Sequence, residues 1–548
     1  MRLKNLLMIA ILALLVCGAF TVAFAQEDPH AMHMNVGWVP REILERPVTL
    51  REGIGTIHEA VTTSSKEAQA FYDQGLAYLH SYVWIEAARS FNQALRIDPK
   101  LMMAYIGLSR VYSNLNDDVA ARAALAQAQA LAPNTTDRER RRITIRAKQL
   151  EALAEPGNRQ KHLDYKKAID DALAIDMNDA ELWLLRGNAE EAVASGRGQR
   201  GGAASIAFYE AALSRSPDNF AAHHYLIHSY ETIGRVEEAL KYGEIYARQA
   251  YMIPHAHHMY AHDLRRVGRV EEAIERFRKA DDLENAYYAT EKISRDYDWH
   301  HAHNLNLLAT CYQYQGQMKT AERLLRESAS MPAMQPGQEF SMKEVAEFLL
   351  TRGRAAEALK ATEALTKGKW PISRTAGHAL AGSALLAMDR SNEANNELTL
   401  AEKELQGLNS AGSGREAVAP YVDELRGEIL LRSGHTVEGV TMLKEWERAM
   451  RAVPGPDAWI LALFRLESMA RVAREVGEWE FADYTARQML EHDPSYAGSH
   501  FALALVAEHK GDSATKRTEF AAAEKLWTRA DADLPELKQI RAKLALAQ

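Results

Sequence analysis

"AQAFYDQGLAYLHSYVWIEAARSFNQALRIDP" (68–99) and "MMAYIGLSRVYSNLNDDVAARAALAQAQALAP" (102–133) decide the fold, because they align without a gap at a spacing of 34 residues. Apolar residues recur at matching positions, and a proline ends each copy. The matched pairs are Phe71 with Tyr105, Gly75 with Ser109, Ala87 with Ala121, Phe91 with Leu125, and Pro99 with Pro133. Each copy predicts two helices whose apolar faces need a neighbouring copy to be buried. The sequence therefore predicts a stacked array of helical hairpins.

This pattern resembles the tetratricopeptide repeat, which implies an all-α, right-handed superhelix of antiparallel helix pairs. A Gly-x-x-x-x-Ala signature marks further helix turns along the chain. Its copies are Gly234 with Ala239, Gly268 with Ala273, Gly316 with Ala321, Gly353 with Ala358, and Gly477 with Ala482. We expect about eleven or twelve repeats over residues 64–530, in one array or in two sub-arrays joined near 330–338.

The first 25 residues have the features of a secretory signal peptide. Arg2 and Lys4 precede the apolar run 6–16, and "AFA" ends at Ala25, where cleavage is expected. Lipidation at Cys17 is the alternative, but the bulky Val16 fits that signal poorly. The predicted location is the periplasm or the medium, and no later apolar run is long enough to span a membrane. The predicted segments are the signal peptide 1–25, an extended arm 26–63, N-terminal repeats 64–178, histidine-rich repeats 179–329 and C-terminal repeats 339–548.

The charge of the chain argues against nucleic acid as a partner. Its net charge is -8 and it has no concentrated basic face. Repeat arrays bind a protein or peptide through their concave groove by default, and a partner in the cell envelope is therefore expected. We find no recognisable catalytic motif, which leaves enzymatic activity undecided.

Histidines are concentrated in the middle of the chain. Ten of the 20 histidines lie between residues 223 and 303. They fall in "AAHHYLIHSYE" (221–231), "IPHAHHMYAHDL" (253–264) and "DYDWHHAHNLNLLA" (296–309). The first two segments carry the same H-x-x-x-H spacing, which places both imidazoles of a pair on one helix face.

The spacing predicts a metal site between neighbouring hairpins. Packed helices lie about 8–10 Å apart, so imidazoles from both could reach one ion at about 2.0–2.1 Å. The predicted ligands are His224, His228, His258, His262 and His303. Further candidates are His223, His255, His257, His300 and His301. Zinc, copper and iron all accept several imidazoles.

Two other features bear on the predicted metal chemistry. Glu190 and Glu191 are expected near the end of the preceding groove helix, where a carboxylate could activate water for metal-assisted hydrolysis. Once the signal peptide is removed, Cys311 is the remaining cysteine, which excludes both a thiolate ligand set and an internal disulfide. A metal-free polar groove for a ligand or peptide, and plain packing of the histidines, are the alternatives.

A second, weaker metal motif lies near the mature N-terminus. "DPHAMHM" (28–34) combines imidazoles with thioethers, a combination that suits copper. Its candidate ligands are His30, Met32, His33 and Met34. An ordinary polar leader is the alternative interpretation.

The histidine motifs also resemble those of a group of exported bacterial tetratricopeptide proteins. "HHYLIH" (223–228) and "HMYAH" (258–262) match two of the group's motifs. In the third, Asn306 stands where the group has a histidine, so the resemblance leaves His303 as the candidate ligand there. It implies a shared site and names no reaction.

Overall fold

The computed structural model describes residues 39–333, 336–408, 414–451 and 456–545. The signal peptide and the histidine–methionine motif at 28–34 lie outside these ranges. Every regular element within them is a helix, which confirms the all-α prediction. The helices pack in sequence as antiparallel hairpins, which confirms the predicted repeat array.

The helices up to the histidine-rich segment carry the labels α1 to α9. They are α1 (Arg41–Leu44), α2 (Lys66–His80), α3 (Trp84–Ile97), α4 (Met102–Asn114), α5 (Asp118–Leu131), α6 (Asp137–Ala154), α7 (Arg159–Ile175), α8 (Ala180–Asn188) and α9 (Gly202–Arg215).

The histidine-rich segment and the C-terminal array follow as α10 to α27. They are α10 (Phe220–Thr232), α11 (Val236–Gln249), α12 (Pro254–Arg266), α13 (Val270–Glu291), α14 (His301–Tyr314), α15 (Met318–Ala329), α16 (Pro336–Ser341), α17 (Lys343–Thr351), α18 (Ala355–Thr366), α19 (Pro371–Leu386), α20 (Ser391–Gln406), α21 (Arg415–Arg432), α22 (Thr436–Arg451), α23 (Pro456–Glu475), α24 (Trp479–His492), α25 (Ala497–Lys510), α26 (Ser513–Leu526) and α27 (Pro535–Ala545).

Small residues let neighbouring hairpins approach, as the repeat pattern predicts. Phe91 is fully buried between Gly75 on α2 and Gly107 on α4. A Cβ atom added to either glycine would lie 2.6 Å or 2.5 Å from the Phe91 ring, well inside van der Waals contact. The ring therefore fits only because both positions lack a side chain.

Glycines also form the turns that the Gly-x-x-x-x-Ala signature predicts. Gly234, Gly268, Gly316, Gly353 and Gly477 all have φ between +70° and +83°. Glycine adopts this left-handed backbone without the steric cost of a Cβ atom, and it ends the first helix of each of these hairpins.

The N-terminal part of the chain folds back onto the histidine-rich segment. Residues 45–65, which precede α2, are non-helical. They contact the residues after α11 and the end of α13. The Met252 amide donates to the Gly53 carbonyl at 2.8 Å, and Arg51 pairs with Glu291 at 2.5 Å. The Trp84 ring of α3 lies parallel to Trp299, with 5.9 Å between centroids. The connection between α2 and α3 is thereby held against the middle of the array.

The C-terminal part returns to the middle from the other side. The Asp531 amide donates to the Gly316 carbonyl at 3.1 Å, and Arg352 pairs with Glu467 and Glu536 at 3.0 and 2.7 Å. One buried apolar cluster has members from α11 to α27, on both sides of the predicted joint. Within the described residues, no helix is both long and apolar enough to cross a membrane.

Candidate metal centre

Six buried histidines form two adjacent triads at the centre of the array. His224 and His228 of α10 combine with His255 of α12 in the first triad. The second triad contains His258 and His262 of α12 and His303 of α14. Within each triad, the three nitrogen atoms lie within 4.8 Å of one another. Each triad thus takes its ligands from two neighbouring hairpins.

The first triad converges on Nε2 of His224. The Nε2 atoms of His228 and His255 each lie 3.1 Å from it. Three nitrogens bound tetrahedrally at about 2.0–2.1 Å from one ion would be separated by about 3.3 Å. The observed separations are therefore close to those that a shared ion requires.

The tautomer of His224 is determined by the N-terminal hairpin. Its Nδ1–H donates to the backbone carbonyl of His80 at 2.7 Å, which leaves Nε2 with its lone pair toward the triad. Burial lowers the pKa of His224 to about 3, and burial followed by the neighbouring histidines lowers the pKa of His255 well below its usual value. Both rings are therefore neutral near pH 7, which is the form that binds a metal.

The second triad has the same arrangement. The Nε2 atoms of His258 and His262 are 2.9 Å apart, and Nδ1–H of His258 donates to Oδ1 of Asn304 at 3.0 Å. Asn304 is held in turn by donating from Nδ2 to the Phe277 carbonyl at 3.0 Å. An outer hydrogen bond of this kind orients a ligand ring and raises its basicity.

Two buried carboxylates contact the histidines from outside the triads. Glu231 lies 3.5 Å from Nδ1 of His262. Glu284 is hydrogen-bonded to Nδ1 of His300, whose ring lies between the triads at 4.4 Å from His258 and 5.2 Å from His255. Burial raises the pKa of Glu284 well above its usual value. His300 is thus placed beside both triads.

Three of the further histidine candidates face elsewhere. His223 stacks on Tyr242, and the Nε2 of His257 bonds to the Tyr251 carbonyl at 2.9 Å. The Nε2 of His301 lies 2.7 Å from Asp281. These rings are buried in the hairpin interfaces, one position along the helix from a triad residue or its neighbour.

The proposed catalytic carboxylates are engaged away from the triads. Glu190 pairs with Lys166 at 3.0 Å and with Arg186. Glu191 accepts the Arg200 amide at 2.9 Å and the Ser195 hydroxyl, and so it stabilises the loop after α8. The carboxylates beside the histidines are Glu231 and Glu284, which the sequence analysis did not select.

Aromatic side chains of the protein itself cover the histidine triads. Tyr82, which has a φ of +59°, lies against the first triad, with centroid distances of 4.6 Å to His224 and 5.2 Å to His255. Trp299 lies 5.7 Å from His255 on another side. All six triad histidines are at most 5% exposed. A peptide groove at these residues is therefore filled by the protein's own side chains.

One cavity reaches the first triad. It has a volume of about 260 Å³ and includes His255 and His300 in its wall, whereas the second triad contributes no residue to its lining among the described residues. The first triad therefore adjoins an open space that the second triad does not line.

Some of these contacts could have been found in the sequence. Glu231 lies three residues after His228, on the same face of the helix. His80 and Tyr82 had no such signal, because they come from a hairpin more than 140 residues away. His255 was a further candidate, and the structure makes it the third member of the first triad.

Comparisons with known proteins give similarity of fold. No protein-family model matches the chain, and no curated protein is significantly similar to it. A solved tetratricopeptide repeat protein from Parabacteroides merdae is 15% identical, over 50% of this chain and 98% of its own, with a TM-score of 0.34. Yeast Tom70 is 12% identical, over 88% of this chain and 96% of its own, with a TM-score of 0.32.

These values add no argument about function. The array of hairpins in the chain itself confirms the tetratricopeptide-type fold. The resemblance to the exported histidine-rich group stays a prediction.

Proposed function

We propose that this protein binds two transition-metal ions, one in each histidine triad, and acts as a metal-dependent enzyme at the first. Zinc, copper and iron are the candidate ions, because the donors are imidazoles without thiolate. The function is assigned to α10, α12 and α14, and the remaining helices serve as the frame that holds these three together.

One observation carries the proposal. Nε2 of His224 has a single lone pair, because its Nδ1–H is committed to the His80 carbonyl. Yet the Nε2 atoms of both His228 and His255 lie 3.1 Å from it. A single lone pair accepts one linear N–H hydrogen bond, so it does not serve both neighbours equally well. One cation bound by the lone pairs of all three Nε2 atoms would satisfy all three nitrogens.

The surroundings support different roles for the two ions. A catalytic metal needs a coordination position open to substrate, whereas a structural one is closed. The first triad adjoins the cavity through His255, whereas the second triad is at most 5% exposed and lines no part of that cavity. We therefore assign reaction to the first ion and support to the second. When bound, the first ion would supply Lewis acidity or redox chemistry.

Metal stoichiometry of single-triad variants tests this proposal. Purified metal-free protein is titrated with zinc and with copper, and bound metal is measured after dialysis. We expect two ions per chain for the wild type and one for His228→Ala or His262→Ala, because each change removes one ligand of one triad.

The matched controls are His223→Ala and His257→Ala. Each removes a buried histidine next to a triad residue on the same helix without removing a triad ligand. Both controls should bind two ions. Equal metal content in wild type and in both triad variants would contradict the proposal.

Two expectations from the sequence remain proposals of their own. Export to the periplasm rests on the leader at residues 1–25, and mass spectrometry of the mature N-terminus would test cleavage after Ala25. A protein partner in the cell envelope would have to use a surface other than the covered histidine region, and cross-linking in cells would identify that surface.

A further inference from the structure

The cavity beside the first triad has the walls of a small-molecule site. Its inner end is formed by buried residues that include Tyr82, Ile253 and His255. Its outer end includes Arg51 and Met252, which are 44% and 47% exposed. The cavity therefore connects solvent with the edge of the metal centre.

Several aromatic residues line this cavity. The Trp84 and Trp299 rings are nearly parallel, with 24° between their planes, and both border the cavity. Tyr287 and Tyr288 of α13 form another side, with 5.8 Å between their centroids. Aromatic rings favour offset or edge-to-face contact at centroid distances of about 4.5–7 Å. A planar aromatic molecule would find several such contacts here.

The volume limits the size of the occupant. An apolar cavity of about 150 Å³ binds benzene. The cavity here is about 260 Å³. It is therefore large enough for one or two fused rings with a small substituent.

The charged groups at the cavity favour a neutral occupant. Glu86 accepts from Arg89 at 2.6 Å and from the Tyr287 hydroxyl at 3.0 Å. Glu291 is paired with Arg51 at 2.5 Å and with Arg89 at 2.8 Å. Of the other carboxylates in the lining, Glu284 is hydrogen-bonded to His300, and Asp298 accepts from the Tyr288 hydroxyl. Glu52 is exposed at the outer end. The carboxylates inside the cavity therefore already have partners, so a charged ligand seated among the rings would gain little unpaired counter-charge from them.

We propose that the cavity binds a neutral aromatic molecule of one or two rings, and that this molecule is the substrate class of the first metal site. The substrate part of this inference rests on the proposed function, whereas the binding part stands on the cavity alone. His255 connects the two, because it belongs to the first triad and also lines the cavity.

Titration of the metal-free protein with 2-naphthol tests binding. The saturated analogue decahydro-2-naphthol and the tetramethylammonium ion are the comparison ligands. We expect 2-naphthol to bind about tenfold more tightly than its saturated analogue, because each aromatic contact contributes beyond its buried area. Equal or tighter binding of either comparison ligand would overturn the aromatic or the neutral assignment.

A filling variant and its control locate the site. Ala286 borders the cavity from an exposed position on α13, and Ala289 is exposed on the same helix without bordering it. Ala286→Trp should weaken 2-naphthol binding by about tenfold or more. Ala289→Trp should bind as the wild type does. Equal effects of the two changes would show that 2-naphthol binds elsewhere.

Copper-loaded protein tests the link with the metal. A Cu(II) ion in the first triad would broaden the NMR signals of 2-naphthol in the cavity. His262→Ala, which keeps the ion of the first triad, should retain this broadening, and the His228→Ala, His262→Ala double variant should abolish it while preserving binding. Binding without broadening in protein shown to contain copper would overturn the substrate assignment. If the protein binds no copper, the proposed function is contradicted. The titration with 2-naphthol then still tests whether the cavity binds a neutral aromatic molecule.

Discussion

Asn304 and His258 join α14 to α12 through a hydrogen bond of 3.0 Å between the amide Oδ1 and the imidazole Nδ1. The same amide donates to the Phe277 carbonyl of α13, so one side chain connects three consecutive helices. The Asn304 side chain also determines the tautomer of His258. Because Oδ1 accepts a hydrogen bond from Nδ1–H, the lone pair of His258 lies on Nε2, toward the second triad.

Loss of this acceptor should weaken metal binding at the second triad. In a His228→Ala background, where one site remains, Asn304→Leu is expected to lower zinc affinity by about 10–100-fold. Competition with a chromophoric chelator measures the change. The control is Asn306→Leu on the same helix, since Asn306 is buried and its Nδ2 has no hydrogen-bond partner among the described residues. Equal losses in the two variants would mean that Asn304 acts by packing alone.

Metal removal should destabilise the folded protein. The triads require α10, α12 and α14 to be packed together, so they bind metal in the native state and lose this geometry in the unfolded state. Free metal at a hundred times the dissociation constant adds about 2.7 kcal/mol per site. Thermal unfolding should therefore shift to lower temperature on chelation in the wild type. A His228→Ala, His262→Ala double variant should show no such shift, and a shift of wild-type size in it would contradict the assignment of the triads.

Acid should destabilise the metal-free protein through its buried histidines. Burial lowers the pKa of His257 to about 4, whereas the unfolded chain has a value of about 6.5. Between these values the unfolded state binds the proton and the native state does not, so the free energy of unfolding falls as pH decreases. His257 alone would account for a loss of about 3 kcal/mol over this range.

The variant His257→Gln should show a shallower fall of stability between pH 6.5 and 4 than the wild type in urea unfolding. Replacement of the exposed His435 by glutamine is the control and should leave the slope unchanged. Identical slopes for wild type and His257→Gln would show that the His257 ring is solvated in the folded protein.

The packing of Phe91 predicts a localised stability loss. Gly107→Ala places a methyl group 2.5 Å from the Phe91 ring, and such overpacking costs about 1–3 kcal/mol. Gly157→Ala serves as the control, because a Cβ atom there meets nothing within 4 Å. The difference in free energy of unfolding between the two variants measures the effect. A change at Gly107 no larger than that at Gly157 would show that the hairpins separate without cost.

The hairpins were predictable because their determinants are local. The positions of Phe91 and of the turn glycines repeat with the period of the fold, and each was correctly located from spacing. The pairing of His224 with His228, and of His258 with His262, follows from helix geometry in the same way. In the structure these four rings belong to two groups, completed by the predicted His303 and by His255, which was a further candidate.

The surroundings of the site were not predictable, for a physical reason. His80 and Tyr82 reach the first triad through closure of the array, and no periodic pattern encodes a contact across so many residues. Glu190 and Glu191 were selected by their position before the histidine helices. In the folded chain, Glu190 pairs with Lys166 and Arg186, and Glu191 accepts a hydrogen bond from the loop after α8.

The hydrogen bond from His224 to the His80 carbonyl makes the first triad sensitive to how the two halves of the chain meet. During synthesis, residue 80 emerges long before residue 255, so His224 gains the acceptor that orients its ring only when the hairpin of α2 and α3 packs against α10. An ion bound there would hold α10 to α12 in the same arrangement that the N-terminal hairpin orients, so binding of the ion and packing of that hairpin should support each other.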